Sequence, residues 1–367
     1  MNNIGMRFDS KADKAFTTEV RAAVSAYFKD NNISMKADRA TWLKAGIMLA
    51  AVIVPYGLIL SGQLSVWGMW LCCAALGFGI AGYGFSVMHD ALHGTFSRHS
   101  AVNTALGAMI DLVGASGFLW KLRHNTMHHT YTNIYGADVD LDASWVIRFS
   151  PHAEYYPVQR FQHIYAYLLY SITSLHWIIV KDYRSISLRS HGPYRDVAHS
   201  RWRVASVVGL KLLYYFNFIA LPLMLLDITI LQWLVGFLTL HLINGFLLSM
   251  TFQISHLVDK TEHFEAEPGR LMEHSWLVHE LKVTSNFACE NRLVTWLVGG
   301  LNHQIEHHLF PHINSAHYPA LRPIIKEITA RHGLPYHEHR TVAEALQAHH
   351  RLLIALGTPP RAEKIAV

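Results

Sequence analysis

Residues 64–93 read LSVWGMWLCCAALGFGIAGYGFSVMHDALH. From Leu64 to Met88 the stretch holds no Asp, Glu, Lys or Arg, and it exceeds the roughly 20 residues a helix needs to cross hydrocarbon. It then delivers His89 and His93, an i,i+4 pair that a continuing helix places on one face. A membrane-crossing helix that carries two imidazoles to the bilayer surface is the reading from which the rest follows.

Working upstream, Ala45 to Leu60 is also free of charge, and Ser61-Gly62-Gln63 joins the two runs as a tight hairpin. Downstream the plan repeats. Val204 to Leu226, interrupted only by Lys211, is followed after a turn at Asp227 by Ile228 to Ile254. Neither turn contains Lys or Arg, so the N-terminal segment, the long middle and the C-terminal part are expected to share the cytosolic side. Ala105 to Trp120 is shorter and contains Asp111 and several glycines, which predicts a re-entrant or interfacial segment. The aromatics between Tyr155 and Trp177 predict a helix at headgroup level, and residues 8–28 an amphipathic helix on the protein or the bilayer. One or two short amphipathic helices are expected over 317–357, divided near Gly333 and Pro335.

The expected architecture is an all-α integral membrane protein, with four transmembrane helices in two hairpins under a helical cytosolic cap. It is read as one domain over residues 1–367. Its parts are an N-terminal cytosolic helix (1–40), a first hairpin (45–88), a middle with two histidine clusters and interfacial helices (89–203), a second hairpin (204–254) and a C-terminal cytosolic part (255–367). The composition agrees, with 51% hydrophobic and only 16% charged residues. The N-terminus begins with polar and charged residues and does not read as a signal peptide. A net charge of +5 comes without a nucleic-acid-binding motif, so the basic residues are read as facing anionic lipid headgroups rather than nucleic acid. Cys72, Cys73 and Cys289 support neither a disulfide framework nor a thiolate metal site.

The 26 histidines lean toward metal chemistry. In Arg123-His124-Asn125-Thr126-Met127-His128-His129, an α-helix would put His124 and His128 on one face and turn His129 about 100° away, within reach of a second ion. A solvated, His-rich helix start would look the same in isolation. A third cluster, Gln304-Ile305-Glu306-His307-His308, repeats that layout. His256 lies just past the fourth run, at the depth of His93.

These clusters, His89-x3-His93, His124-x3-His128-His129 and Gln304-x2-His307-His308, resemble the three histidine boxes of membrane fatty-acid desaturases. The glutamine that opens the third box, and Thr132-Asn133-Ile134-x2-Ala137-Asp138-x-Asp140 after the second, resemble the front-end subgroup (linoleoyl-CoA or delta-6-like). The resemblance runs from about Phe8 to Tyr336. It implies two Fe ions held by His89, His93, His124, His128, His129, His256, His307 and His308, with O2 as cosubstrate. Gln304 stands where other desaturases have histidine, which leaves direct, water-mediated or absent ligation open. Asp90 and Glu306, within boxes, are the preferred carboxylates for orienting ring N–H groups, ahead of Asp138 and Asp140; Asn133 is a further candidate at the site. His303 and His312 fall outside the family's ligand positions. Trp120, Trp145, Trp276 and Trp296 are candidate walls of an acyl channel.

The activity so implied is insertion of a cis double bond into an acyl chain, already unsaturated, of an acyl-CoA or a membrane acyl-lipid. The site would lie on the cytosolic face of a bacterial inner membrane or of the endoplasmic reticulum. The sequence contains no His-Pro-Gly-Gly haem signature of a fused cytochrome b5 domain, so a separate ferredoxin or cytochrome b5-like protein is the expected electron donor. A di-iron hydroxylase or ketolase acting on alkane, sterol or carotenoid is the rival reading; the Gln304-centred box is not expected of it.

Overall fold

The computed structural model describes residues 2–3, 5–141 and 145–359; the outermost ends of the first and last predicted parts, residue 1 and residues 360–367, lie outside it. Among the described residues, four helices are long and apolar enough to cross a membrane: Arg39–Leu60, Val66–Leu92, Arg201–Leu225 and Ile230–His256. They form the two expected hairpins. Each starts where a side chain takes up free backbone N–H groups: Asp38, Ser65 and Ser200 accept at three of them, and Thr229 with Gln232 makes a capping box at the fourth. Large apolar side chains such as Trp67, Leu71, Phe78, Met224 and Ile230 stand exposed around the bundle, which suits hydrocarbon as the surrounding medium.

The first two spans pack closely because small residues line the contact. A Cβ on Gly79 would come within 2.3 Å of the Ala51 carbonyl oxygen, so only glycine lets the backbones approach this far. The second span packs on the fourth through Leu76, Gly77 and Leu240.

Two further helix pairs are apolar but sharply bent. Ser100–Leu112 and Gly117–Tyr131 meet at 109°, the geometry of a re-entrant segment, and Pro157–Ser171 and Thr173–Ser187 meet at 63°. The amphipathic helix near the N-terminus runs Lys14–Asp30 and buries Phe16, Val20, Val24 and Phe28. It packs on helix Tyr318–Arg331 and so belongs to the cap rather than to the bilayer surface. A second C-terminal helix, Val342–Leu356, lies against the fourth span and the Gln162–Ser171 helix.

Short strand pairs are added to this helical plan. Ile134–Tyr135 pairs with Phe264–Glu265, and Ser285–Phe287 with His337–His339, both parallel. They staple the segments after the second and third boxes to the rest of the cap. Among the described residues four stretches of π-helix interrupt the helices, two of them at histidine boxes: Gly84–Met88 immediately before His89, and Lys121–His128 across the second box.

Candidate metal centre

All eight histidines meet beneath the cap, at the ends of the second and fourth spans. His89 and His93 arrive on the last turn of the second span and His256 on the last residue of the fourth. His124, His128 and His129 come from the arm of the re-entrant pair, and His307 and His308 from the short helix Gln304–Leu309. Ring centroids stand 4.5 Å apart for His89 and His307, 4.6 Å for His256 and His308, and 4.4 Å for His129 and His308.

Their nitrogens fall into two adjoining groups. His89, His93, His124 and His307 form one, His128, His256 and His308 the other, and His129 lies between them with His307 and His308; within each group the nitrogens lie within 4.8 Å of one another. This corrects one expectation, since an α-helical second box would give His124 and His128 to the same ion. The segment is π-helical, with i→i+5 hydrogen bonds, so residues five apart approach each other. His124 Nε2 accordingly lies 3.2 Å from His129 Nε2, and His128 is turned toward His256.

The rings are held from outside and open toward the centre. His128 Nδ1 is 3.0 Å from Asp138, His308 Nδ1 is 2.8 Å from Glu280, and His89 Nδ1 is 3.3 Å from Asp90. His307 Nδ1 donates to the Tyr318 hydroxyl at 3.1 Å, an orientation fixed because that hydroxyl donates to the Ile313 carbonyl. With Nδ1 engaged, the Nε2 atoms of His128, His307 and His308 are buried without a hydrogen-bond partner among the described residues, as is His93 Nε2. Unpaired buried imidazole nitrogens converging on common points are what a cation would satisfy.

Charge points the same way. Asp90, Asp138 and Glu280 are all buried, and among the described residues none of them forms an ion pair with Lys or Arg. Burial pushes the Glu280 carboxyl well above its usual range and holds the His307 and His308 imidazoles well below theirs. The two rings are therefore neutral and offer lone pairs, and a cation between them would favour ionised Glu280.

Other candidates fall in different places. The Gln304 amide nitrogen is 3.1 Å from His256 Nε2, so this side chain belongs beside the second group. Asp90 also accepts from Asn314 and Ser315 and thereby ties the first box to the segment after the third. Glu306 turns away from the eight rings; it accepts from Asn286 and Tyr336, and burial raises its carboxyl to about 6. Asn133 donates to the backbone carbonyls of His256 and Val283, stitching segments rather than facing the centre. His303 is buried, with Glu306 3.9 Å away, while His312 is exposed.

Trp120 stacks on His124 at 4.3 Å and Trp276 donates to the His129 carbonyl at 3.0 Å, so both border the centre. Trp145 and Trp296 are 65% and 40% exposed, and neither has a ring contact with the eight histidines among the described residues. Glu280 and Tyr318 escaped the sequence reading. The signal for Glu280 was an acid embedded among Leu277, Val278 and Leu281 on a short apolar helix, where only a paired carboxyl is kept.

A helical membrane protein whose cap closes over two adjoining imidazole cages has a site built as a membrane-bound polyhistidine metal centre is built. The chain belongs to the fatty acid desaturase family, whose model matches residues 64–340. It is 32% identical over 352 residues to the sn-1 linoleoyl-lipid 6-desaturase of Arthrospira platensis, covering 95% of each chain. The enzyme of the same description from Synechocystis sp. is also 32% identical, over 94% of this chain and 96% of that one. An acyl-lipid (8-3)-desaturase of Physcomitrium patens is 30% identical over 96% of this chain and 74% of its own length. The protein is thus an integral membrane oxidoreductase of lipid metabolism, a fatty acyl desaturase of the front-end kind.

Proposed function

We propose that this enzyme introduces a cis double bond between an existing double bond and the carboxyl end of an acyl chain esterified to a membrane lipid. Two irons would be held by His89, His93, His124, His128, His129, His256, His307 and His308, with O2 as cosubstrate. The observation that carries this reading is the set of buried imidazoles with inward nitrogens unpaired and outward nitrogens on Asp90, Asp138, Glu280 and Tyr318. Removing hydrogen from an unactivated methylene is beyond side-chain acids and bases, and it is the chemistry that iron with dioxygen supplies.

The net reaction removes two hydrogens from adjacent methylenes, while O2, two electrons and two protons complete two waters. The chain's own residues keep the ligand rings in one tautomer, fix their directions through the buried acids, and exclude water by burial. An esterified lipid is favoured over acyl-CoA because the relatives are described as linoleoyl-lipid and acyl-lipid enzymes. A host fed linoleic or α-linolenic acid and expressing the chain is expected to accumulate a product with one additional double bond on membrane lipid first. Product appearing first in the CoA pool would contradict the lipid assignment, and an unchanged profile the activity itself.

The electrons come, in this reading, from a separate ferredoxin or cytochrome b5-like protein. Basic residues outside the hairpin turns are a suitable dock, and the same distribution supports a cytosolic position for the histidines. A cysteine replacing the exposed Ser100 is expected to resist an impermeant thiol reagent applied from outside; labelling from that side would invert the topology.

A further inference from the structure

A second buried polar cluster lies away from the histidines, at the bend between Ser100–Leu112 and Gly117–Tyr131. Lys211 in the third span and Asp182 in the Thr173–Ser187 helix are 2% and 0% exposed, with Nζ 2.7 Å from Oδ2. The same carboxylate accepts the Ser116 amide at 2.8 Å through Oδ2 and the Trp177 indole N–H at 2.9 Å through Oδ1. Lys211 also donates to the Gly114 carbonyl, and Asp111 accepts the Gly117 amide at 3.1 Å. An ionisable pair sealed among apolar helices is costly and is kept where its geometry matters.

Here the geometry converges on one turn. Gly114 and Ser116 both bind the pair, and Ser116 is the cap of the helix that carries the second box, its hydroxyl accepting from the Leu119 amide. A lock serving only cohesion would tie span to span; this one holds the tip of the re-entrant segment between the third span and the bent helix pair. From Ser116 to His124 is about two helical turns, roughly 12 Å of continuous helix, so a shift at the tip is carried to the rings.

We propose that Lys211 and Asp182 are positioning residues for desaturation: the pair sets where the second-box helix begins and thereby where His124, His128 and His129 stand. The inference rests on the reading of the eight histidines as the metal centre. Displacement of a catalytic constellation by about 1 Å, caused far from the chemistry, can lower turnover about 100-fold.

Asp182→Glu keeps the charge pair but lengthens the arm that holds the Ser116 amide. It is expected to fold and yet to lose about 10- to 100-fold in turnover per folded chain, with an altered Mössbauer spectrum of the loaded enzyme. Lys211→Met/Asp182→Leu removes both charges together, which avoids stranding either one, and is expected to show the same split between retained folding and lost turnover. Parental turnover and spectrum in either variant would overturn the proposal, and failure of both to fold would mark the pair as a folding element and overturn it as well. His308→Ala run in parallel separates the two claims: if it is inactive while Asp182→Glu is fully active, the positioning role falls and the metal centre stands.

Discussion

His308→Ala is expected to abolish turnover, whereas Glu280→Gln is expected to lower it only about 10- to 100-fold. The His308 ring is wholly buried, its Nε2 has no hydrogen-bond partner among the described residues, and it stands close to His128, His129 and His256. Truncation removes a nitrogen from the point where both groups approach each other. Glu280 acts one step further out, through the 2.8 Å contact to Nδ1. Glutamine keeps an oxygen that can accept from the ring but removes the negative charge that favours a bound cation, so binding weakens without the ligand being lost. The exposed His312→Ala is the control and should keep near-parental activity. Product formed per folded chain is the readout; a fully active His308→Ala enzyme would refute the ligand assignment.

Gly299→Ala is expected to cost most of the folded protein. Gly299 has φ +66°, and a Cβ there would lie 2.4 Å from the Phe85 carbonyl oxygen and 2.8 Å from the Ser86 Cα. The left-handed conformation alone costs a non-glycine residue about 1–2 kcal/mol. The overlap adds to this, because both obstructing atoms are backbone and cannot swing aside. Relief would require moving the π-helical turn Gly84–Met88, which leads directly into His89. Stability and metal content should therefore fall together. Gly333 has φ +64° with nothing near its Cβ position, so Gly333→Ala isolates the conformational cost and should lower the thermal midpoint only slightly. Equal midpoints for the two variants would show that the close approach at Gly299 is not needed.

The contrast between these positions shows what can be read from sequence. Charge-free runs locate the spans because hydrocarbon admits few alternatives, and Leu64–Met88 differs from the observed Val66–Leu92 only where the Ser65 cap and the His89–Leu92 turn set the ends. The identities of the clustered histidines were equally legible, since three boxes of one spacing leave little else to explain them. Their division between two groups was not. It depends on a π-helical Lys121–His128, whose i→i+5 pairing the spacing of the box does not announce. Glu280 and Tyr318 were missed because each reaches the centre from a separate cap helix, Trp276–Val283 or Tyr318–Arg331, whose orientation only the tertiary fold fixes.

One chain is expected to hold two irons in these adjoining cages and to desaturate with them. Metal analysis of active, fully loaded protein, with product formation measured on the same sample, tests it most directly. Two irons per chain, with activity rising in proportion to iron, is the predicted result; an active preparation holding a single metal, or zinc alone, would contradict it.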